Sequence, residues 1–158
     1  MSGQEEGTRM QTVFFAADAA QLLRLAAAGG NTKGLDLAEV NAADLDPAQL
    51  LELDTLVTGH DPVAVREAVL TPARELGRPG ALAQGTEERV VLAVRPALCR
   101  SLLGRSDAEL DGLGLHWELR SWAADWDAER YGRLLRSLAL LAQIARAEHR
   151  GVYVRFDV

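Results

Sequence analysis

The spacing of apolar positions along this chain changes repeatedly, and each change marks a structural element. Thr12–Ala16 (TVFFA), with its run of apolar side chains, predicts a short buried strand. Asp18 then offers a helix cap, and Gln21 three residues on completes a capping box. Leu22, Leu23 and Ala26 carry that helix toward Gly29-Gly30, where it should stop. Leu37–Val40 reads as a second short strand. Asp46-Pro47 and Asp61-Pro62 each set a capping acid before a proline. Proline suits the first helical position because the N–H it lacks would have no partner there. These pairs predict helices over Pro47–Thr58, closed by Gly59, and over Pro62–Val69. Thr71-Pro72 opens a further turn, and Gly77–Glu88, with Gly77, Pro79, Gly80 and Gly85, reads as a mobile loop.

The second half is patterned more strongly. Arg89–Val94 (RVVLAV) predicts a strand, and Pro96 starts a helix through Leu103 that Gly104 ends. Ser106 and Glu109 form another capping box, and the helix they open is expected to break at Gly112 and Gly114. Leu115–Trp126 then resumes as helix, with Leu115, Leu119, Trp122 and Trp126 on one face, expected to be core. Asp127 caps the last helix. Tyr131, Leu134, Leu135, Leu138, Leu141, Ala142 and Ala145 form its apolar arc, and Arg133, Arg136, Arg146 and Arg150 lie opposite. Gly151 ends it, and Val152–Val158 alternates as a closing strand. The expected fold class is therefore α+β: a mainly helical single domain over 11–158, after a flexible polar tail over 1–10. Its small sheet, of three or four short strands, is built from the two ends and the central strand.

Composition narrows the function classes. At 158 residues, 48% hydrophobic and 25% charged, the chain can bury a core without disulfide or metal staples. A net charge of −6 argues against a general nucleic-acid binder, whose phosphate affinity comes from clustered Lys and Arg. No segment approaches the roughly 20 apolar residues of a membrane span, and the first ten residues hold no apolar core of a secretory signal. Cys99 stands alone and cannot form an internal disulfide, so the cytoplasm is the expected compartment. His60, His116 and His149 fall outside metal-ligand spacing, so no metal is expected. Gly112-Leu113-Gly114 lacks the third glycine of a dinucleotide loop and follows no strand. No cofactor and no catalytic group is therefore assigned.

Several features in order resemble the YfbM-like family of uncharacterised bacterial proteins. They are an N-terminal strand followed by a helix, the helix ending Leu56-Val57-Thr58-Gly59, and Trp126-Asp127 ahead of a strongly apolar helix. That helix, Tyr131–Arg150, leads into a C-terminal strand, Val152–Phe156. The chain departs from the family at its start and around Gly77–Glu88. The resemblance implies an α+β fold and a bacterial source. It implies no activity.

Charge and aromatic placement supply the candidate sites. Between Gly34 and Val65 stand seven acids and no Lys or Arg: Asp36, Glu39, Asp44, Asp46, Glu52, Asp54 and Asp61. Such a surface steers a basic protein partner, unless caps and ion pairs consume it. Trp117 points away from the expected core face, alongside Arg120, and is either a binding anchor or packed with Arg120 stacked on its ring. Cys99 has Arg95 and Arg100 nearby, which would lower its thiol pKa. Its stripe with Leu98 and Leu102 points instead to core packing. The leading expectation is a protein-binding module acting through Glu52, Asp54, His60, Asp61, Trp117 and Arg120. The alternative is a small enzyme or ligand-binding domain with a cleft near Trp117, His116, Glu118 and His60. The oligomeric state is left open.

Overall fold

The computed structural model describes residues 11–28, 37–70, 89–121 and 125–157. The tail over 1–10, Gly29-Gly30, the turn at Thr71-Pro72, the loop Gly77–Glu88 and Trp122 lie outside them. Four strands pair in the order β2-β1-β4-β3, all antiparallel. They are β1 (Gln11–Ala17), β2 (Glu39–Asn41), β3 (Arg89–Ala93) and β4 (Gly151–Asp157). The first and last strands form the central pair, in register from Gln11 opposite Asp157 to Ala17 opposite Gly151. This placement explains why β1 is apolar from Val13 to Ala17: both of its faces are covered there.

Six helices are described: α1 (Ala19–Ala27), α2 (Pro47–Thr58), α3 (Pro62–Leu70), α4 (Pro96–Leu102), α5 (Asp107–Arg120) and α6 (Ala128–Ala147). The molecule is a mainly helical α+β domain with a small four-stranded sheet. Side chains alternate across the sheet, and the two faces feed separate cores. Phe14, Ala16, Val152, Val154 and Phe156 meet α2, α4, α5 and α6 in the main core. Phe15, Ala17, Val91 and Tyr153 meet Leu22 and Leu25 of α1 on the other face. There Phe15 and Tyr153 stack at 5.8 Å.

Local capping starts most helices. Asp18 with Gln21, Asp46 with Gln49 and Ser106 with Glu109 form reciprocal capping boxes, and Asp127 accepts from the Arg130 N–H. Each saves a backbone donor from being orphaned in the first turn. Gly59 ends α2 in the left-handed region at φ 70°, where a side chain would be strained. The apolar arc of α6 is buried as its spacing predicts, from Tyr131 through Leu134, Leu135, Leu138, Leu141 and Ala142 to Ala145.

The segment between these helices differs from the expectation in three ways. Gly112 and Gly114 do not break the helix, because α5 runs unbroken from Asp107 to Arg120. The helix ends at Arg120 instead of running on to Trp126, and of the expected core face Trp126 is buried but Leu115 and Leu119 are 52% and 74% exposed, while Trp117 is fully buried. Gly114 gives the reason. A Cβ there would stand 2.7 Å from the Gly132 amide nitrogen and 2.9 Å from the Ala128 carbonyl oxygen. Glycine is thus what lets the backbones of α5 and α6 touch. The contact turns the Leu110–Gly114–Trp117 stripe inward, and with it Leu115 and Leu119 outward. An Asp111–Arg136 ion pair spans the same crossing.

Two substitutions two residues apart should therefore have opposite signs. Gly114→Ala forces helix backbones apart and is expected to cost about 1–3 kcal/mol, the range for overpacking. Gly112 has open space around its Cβ position, so Gly112→Ala should stabilise by about 0.5–1 kcal/mol through helix propensity. Denaturant midpoints of the two variants, compared with the parent, check the pair.

Candidate binding groove

Two polar assemblies and a groove surround the core, and the groove offers space for a ligand. The first begins at Gln49, whose side-chain carbonyl accepts from the Asp46 N–H at 2.9 Å while its amide donates to Tyr131 Oη at 3.1 Å. Tyr131 donates to Ser121 Oγ at 2.7 Å, and Ser121 donates to Glu52 Oε1 at 3.0 Å. Trp117 Nε1 donates to the same oxygen at 3.2 Å. Trp117 and Trp126 flank the Tyr131 ring at 4.0 and 5.1 Å, and the Arg130 guanidinium lies 3.8 Å above Trp126. Trp117 therefore presents no ring to a partner. The cation stacked in this group is Arg130 on Trp126, and Arg120 is exposed.

The second assembly joins α2 to the start of α4. Arg95 grips Asp54 with two parallel bonds, Nε to Oδ2 at 2.8 Å and Nη2 to Oδ1 at 2.7 Å. Asp54 is 1% exposed, and these hydrogen bonds hold Arg95 protonated above its ordinary range. Thr58 donates to the Asp54 carbonyl at 2.6 Å. His60 Nδ1 lies 2.9 Å from Arg95 Nη2, so that nitrogen is the acceptor. Asp61 is exposed and accepts from the Ala64 N–H at 3.1 Å as a cap for α3.

The candidate residues thus fall into separate groups. Glu52 serves Trp117 and Ser121, while Asp54 and His60 serve Arg95. His116 is exposed, and Glu118 accepts the Ala128 N–H at the start of α6. Among the described residues, no hydrogen bond joins Trp117, His116, Glu118 and His60 to one another. Of the acidic run, Glu39, Asp44 and Asp61 are exposed, Asp46 is a half-buried cap, and Asp36 lies outside the described residues.

The groove, of about 770 Å³, lies where α4, α6 and β4 meet. Chain geometry builds it. Pro96 starts α4 directly after β3, so Cys99, Arg100 and Leu103 line one wall. Gly104, at φ 79°, turns the chain away. The last turns of α6 supply Ala142, Ala145 and Arg146. His149, in the left-handed region at φ 56°, then reverses the chain, and the Arg150 N–H bonds the Ala145 carbonyl at 2.7 Å. That turn delivers Arg150, Gly151, Val152 and Tyr153 to the other wall. A Cβ at Gly151 would stand 2.9 Å from Tyr153 Oη, so a larger residue there would push against that ring.

The floor is aliphatic, three arginines line the groove, and among the described residues no Asp or Glu does. None of the residues singled out above for Trp117, Asp54 or the acidic run lines it, whereas Cys99 and Arg100 do. Sequence reasoning missed the groove as a site. Its one local trace is the arginine excess after Ala128, six Arg against three acids.

Burial, with a smaller push from Asp54, raises the Cys99 thiol to about 11. The sequence setting beside Arg95 and Arg100 suggests the opposite, but desolvation outweighs the Arg100 charge. Burial likewise raises the Tyr153 hydroxyl above its usual range. Both stay protonated at neutral pH, so the groove offers no thiolate nucleophile. Thiol labelling at pH 8 should be on the order of a hundredfold slower in the native protein than in urea. The native rate should climb as pH rises toward 11. A native rate equal to the unfolded one would mean that the thiol is not desolvated.

Among the described residues, no three His, Cys, Asp or Glu side chains gather to hold a metal ion. No described helix is long and apolar enough to cross a membrane. No protein-family model matches the chain, and neither a curated protein nor a solved structure matches it.

Proposed function

We propose that this chain is a small bacterial, cytoplasmic binding protein whose site is the groove between α4, α6 and β4. The observation that carries this reading is the cavity itself. Its volume lies within the roughly 300–1,000 Å³ of small-molecule pockets, and an aliphatic floor with a few polar groups at the rim is their usual construction. The protonated thiol and hydroxyl beside it suit binding rather than nucleophilic chemistry. The likeness to YfbM-like proteins bears on the fold and adds no activity.

The reading is tested with a neutral solvatochromic dye. Wild-type protein should bind it and shift its emission. Cys99→Phe and Leu103→Trp, which project rings into the cavity, should each weaken binding by tenfold or more while thermal melts stay cooperative. A dye that fails to bind the parent, or binds folded variants equally well, overturns the proposal.

A second reading rests on the acidic run. Glu39, Asp44 and Asp61 are exposed and carry no ion pair among the described residues. They would steer a basic protein partner through a screened field. A low-salt pull-down should then enrich basic proteins that are released as salt rises. Capture of neutral or acidic proteins alone would refute it.

A further inference from the structure

The charge around the groove is unbalanced in a way that specifies a ligand. Arg150 is paired, with Nη1 3.0 Å from Glu148 Oε2. Arg100 and Arg146 are exposed and have no carboxylate partner among the described residues. They approach the cavity from different helices, α4 and α6, and both line it. Each occupies the last turn of its helix, where unpaired carbonyls favour a cation. Those helix ends alone would repel an anion. Two guanidinium groups without a carboxylate partner among the described residues set positive charge against that effect at the mouth.

The rest of the lining limits what the anion is attached to. Val94, Cys99, Ala142, Ala145 and Val152 offer small apolar surfaces. Apart from the arginines, the polar side chain among them is the Cys99 thiol, since the Tyr153 ring packs against Phe15 in the other core. A sugar or a nucleoside would bury hydroxyl and ring-nitrogen groups there without enough partners, which costs binding energy. An alkyl chain needs none. A carboxylate matches the planar guanidinium fork. A phosphate monoester would bring nearly two charges and a firmly held hydration shell to an aliphatic site with two free cations.

We propose that the groove binds a single-chain amphipathic carboxylate of the fatty-acid class. Its headgroup lies between Arg100 and Arg146, and its chain lies over Val94, Cys99, Ala142 and Val152. This inference rests on the groove being the site, and its test separates the two. Decanoate, decan-1-ol, decylammonium and decyl phosphate are titrated against the dye-loaded full-length protein at pH 7.5, below their micellar range. Decanoate should displace the dye at least tenfold more effectively than decanol or decyl phosphate, and decylammonium should be weakest. In the Arg100→Gln/Arg146→Gln double variant, decanoate should lose tenfold or more while decanol is unchanged. Protection of Cys99 against a thiol reagent should follow the same order, which ties the binding to this cavity. If the dye binds and decanol matches decanoate, the groove reading survives and the carboxylate inference fails. Preference for the ammonium or the phosphate overturns the inference as well. If neither the dye nor any of the four ligands binds, both readings fail.

Discussion

Replacing Trp117 by Ala is expected to cost about 3–5 kcal/mol, through lost transfer energy and the cavity left behind. The ring is fully buried and stacks on Tyr131 at 4.0 Å. Its Nε1–H also helps hold Glu52, which is bonded to Ser121. Against a total stability of roughly 5–15 kcal/mol, the variant should unfold at much lower denaturant. Trp117→Phe keeps an aromatic partner for Tyr131 and removes the N–H donor, so its loss should be smaller. Urea titration followed by circular dichroism compares them. An unshifted midpoint for Trp117→Ala would contradict a core role.

The second large effect is expected at Arg95. Arg95→Met leaves Asp54 enclosed without its countercharge, a change that typically costs about 3–5 kcal/mol. Converting both partners, as Arg95→Met with Asp54→Leu, should restore most of that loss, because a buried pair contributes little beyond its own desolvation. His60→Ala is the control. His60 is exposed, and Arg95 keeps both bonds to Asp54 without it. Its effect should stay within about 0.5 kcal/mol. If the double variant is no more stable than Arg95→Met alone, the pair has a structural role beyond charge compensation.

What could be read from the chain was what short-range chemistry decides. Asp46-Pro47 and Gly59 bracket α2 as written, and Asp127 with the α6 arc defines the longest helix. In each case the partners sit within one or two helical turns of one another. Gly114 shows where this stops. A glycine in a helix-like pattern can mark a break or a close contact, and only the position of Gly132 on another helix decides between them. Taking it as a break also misassigned the buried face, so Leu115 and Leu119 exchanged places with Trp117. The acidic run was read as one surface. Arg95, 41 positions from Asp54, draws one of its members inside. The groove left still less trace. Its walls come from two stretches, 93–104 and 142–153, and neither carries a motif. Their meeting depends on how α4 packs on α6.

The strand order also sets a timetable. β4 is the only described partner of β3 and pairs with β1 along its full length. It is also the last of the four strands to be synthesised. Until it arrives, β1 can pair only with the three residues of β2, and β3 waits alone with Val91 and Leu92 uncovered. Contacts that span so much of the chain form slowly, because loop closure precedes any reward. A chain in which β4 has not yet docked would thus expose Phe14, Phe15 and unpaired strand edges, the condition under which chaperones engage and aggregation competes. β4 acts as a latch: its docking completes the sheet, adds side chains to both cores and supplies the Val152–Tyr153 wall of the groove.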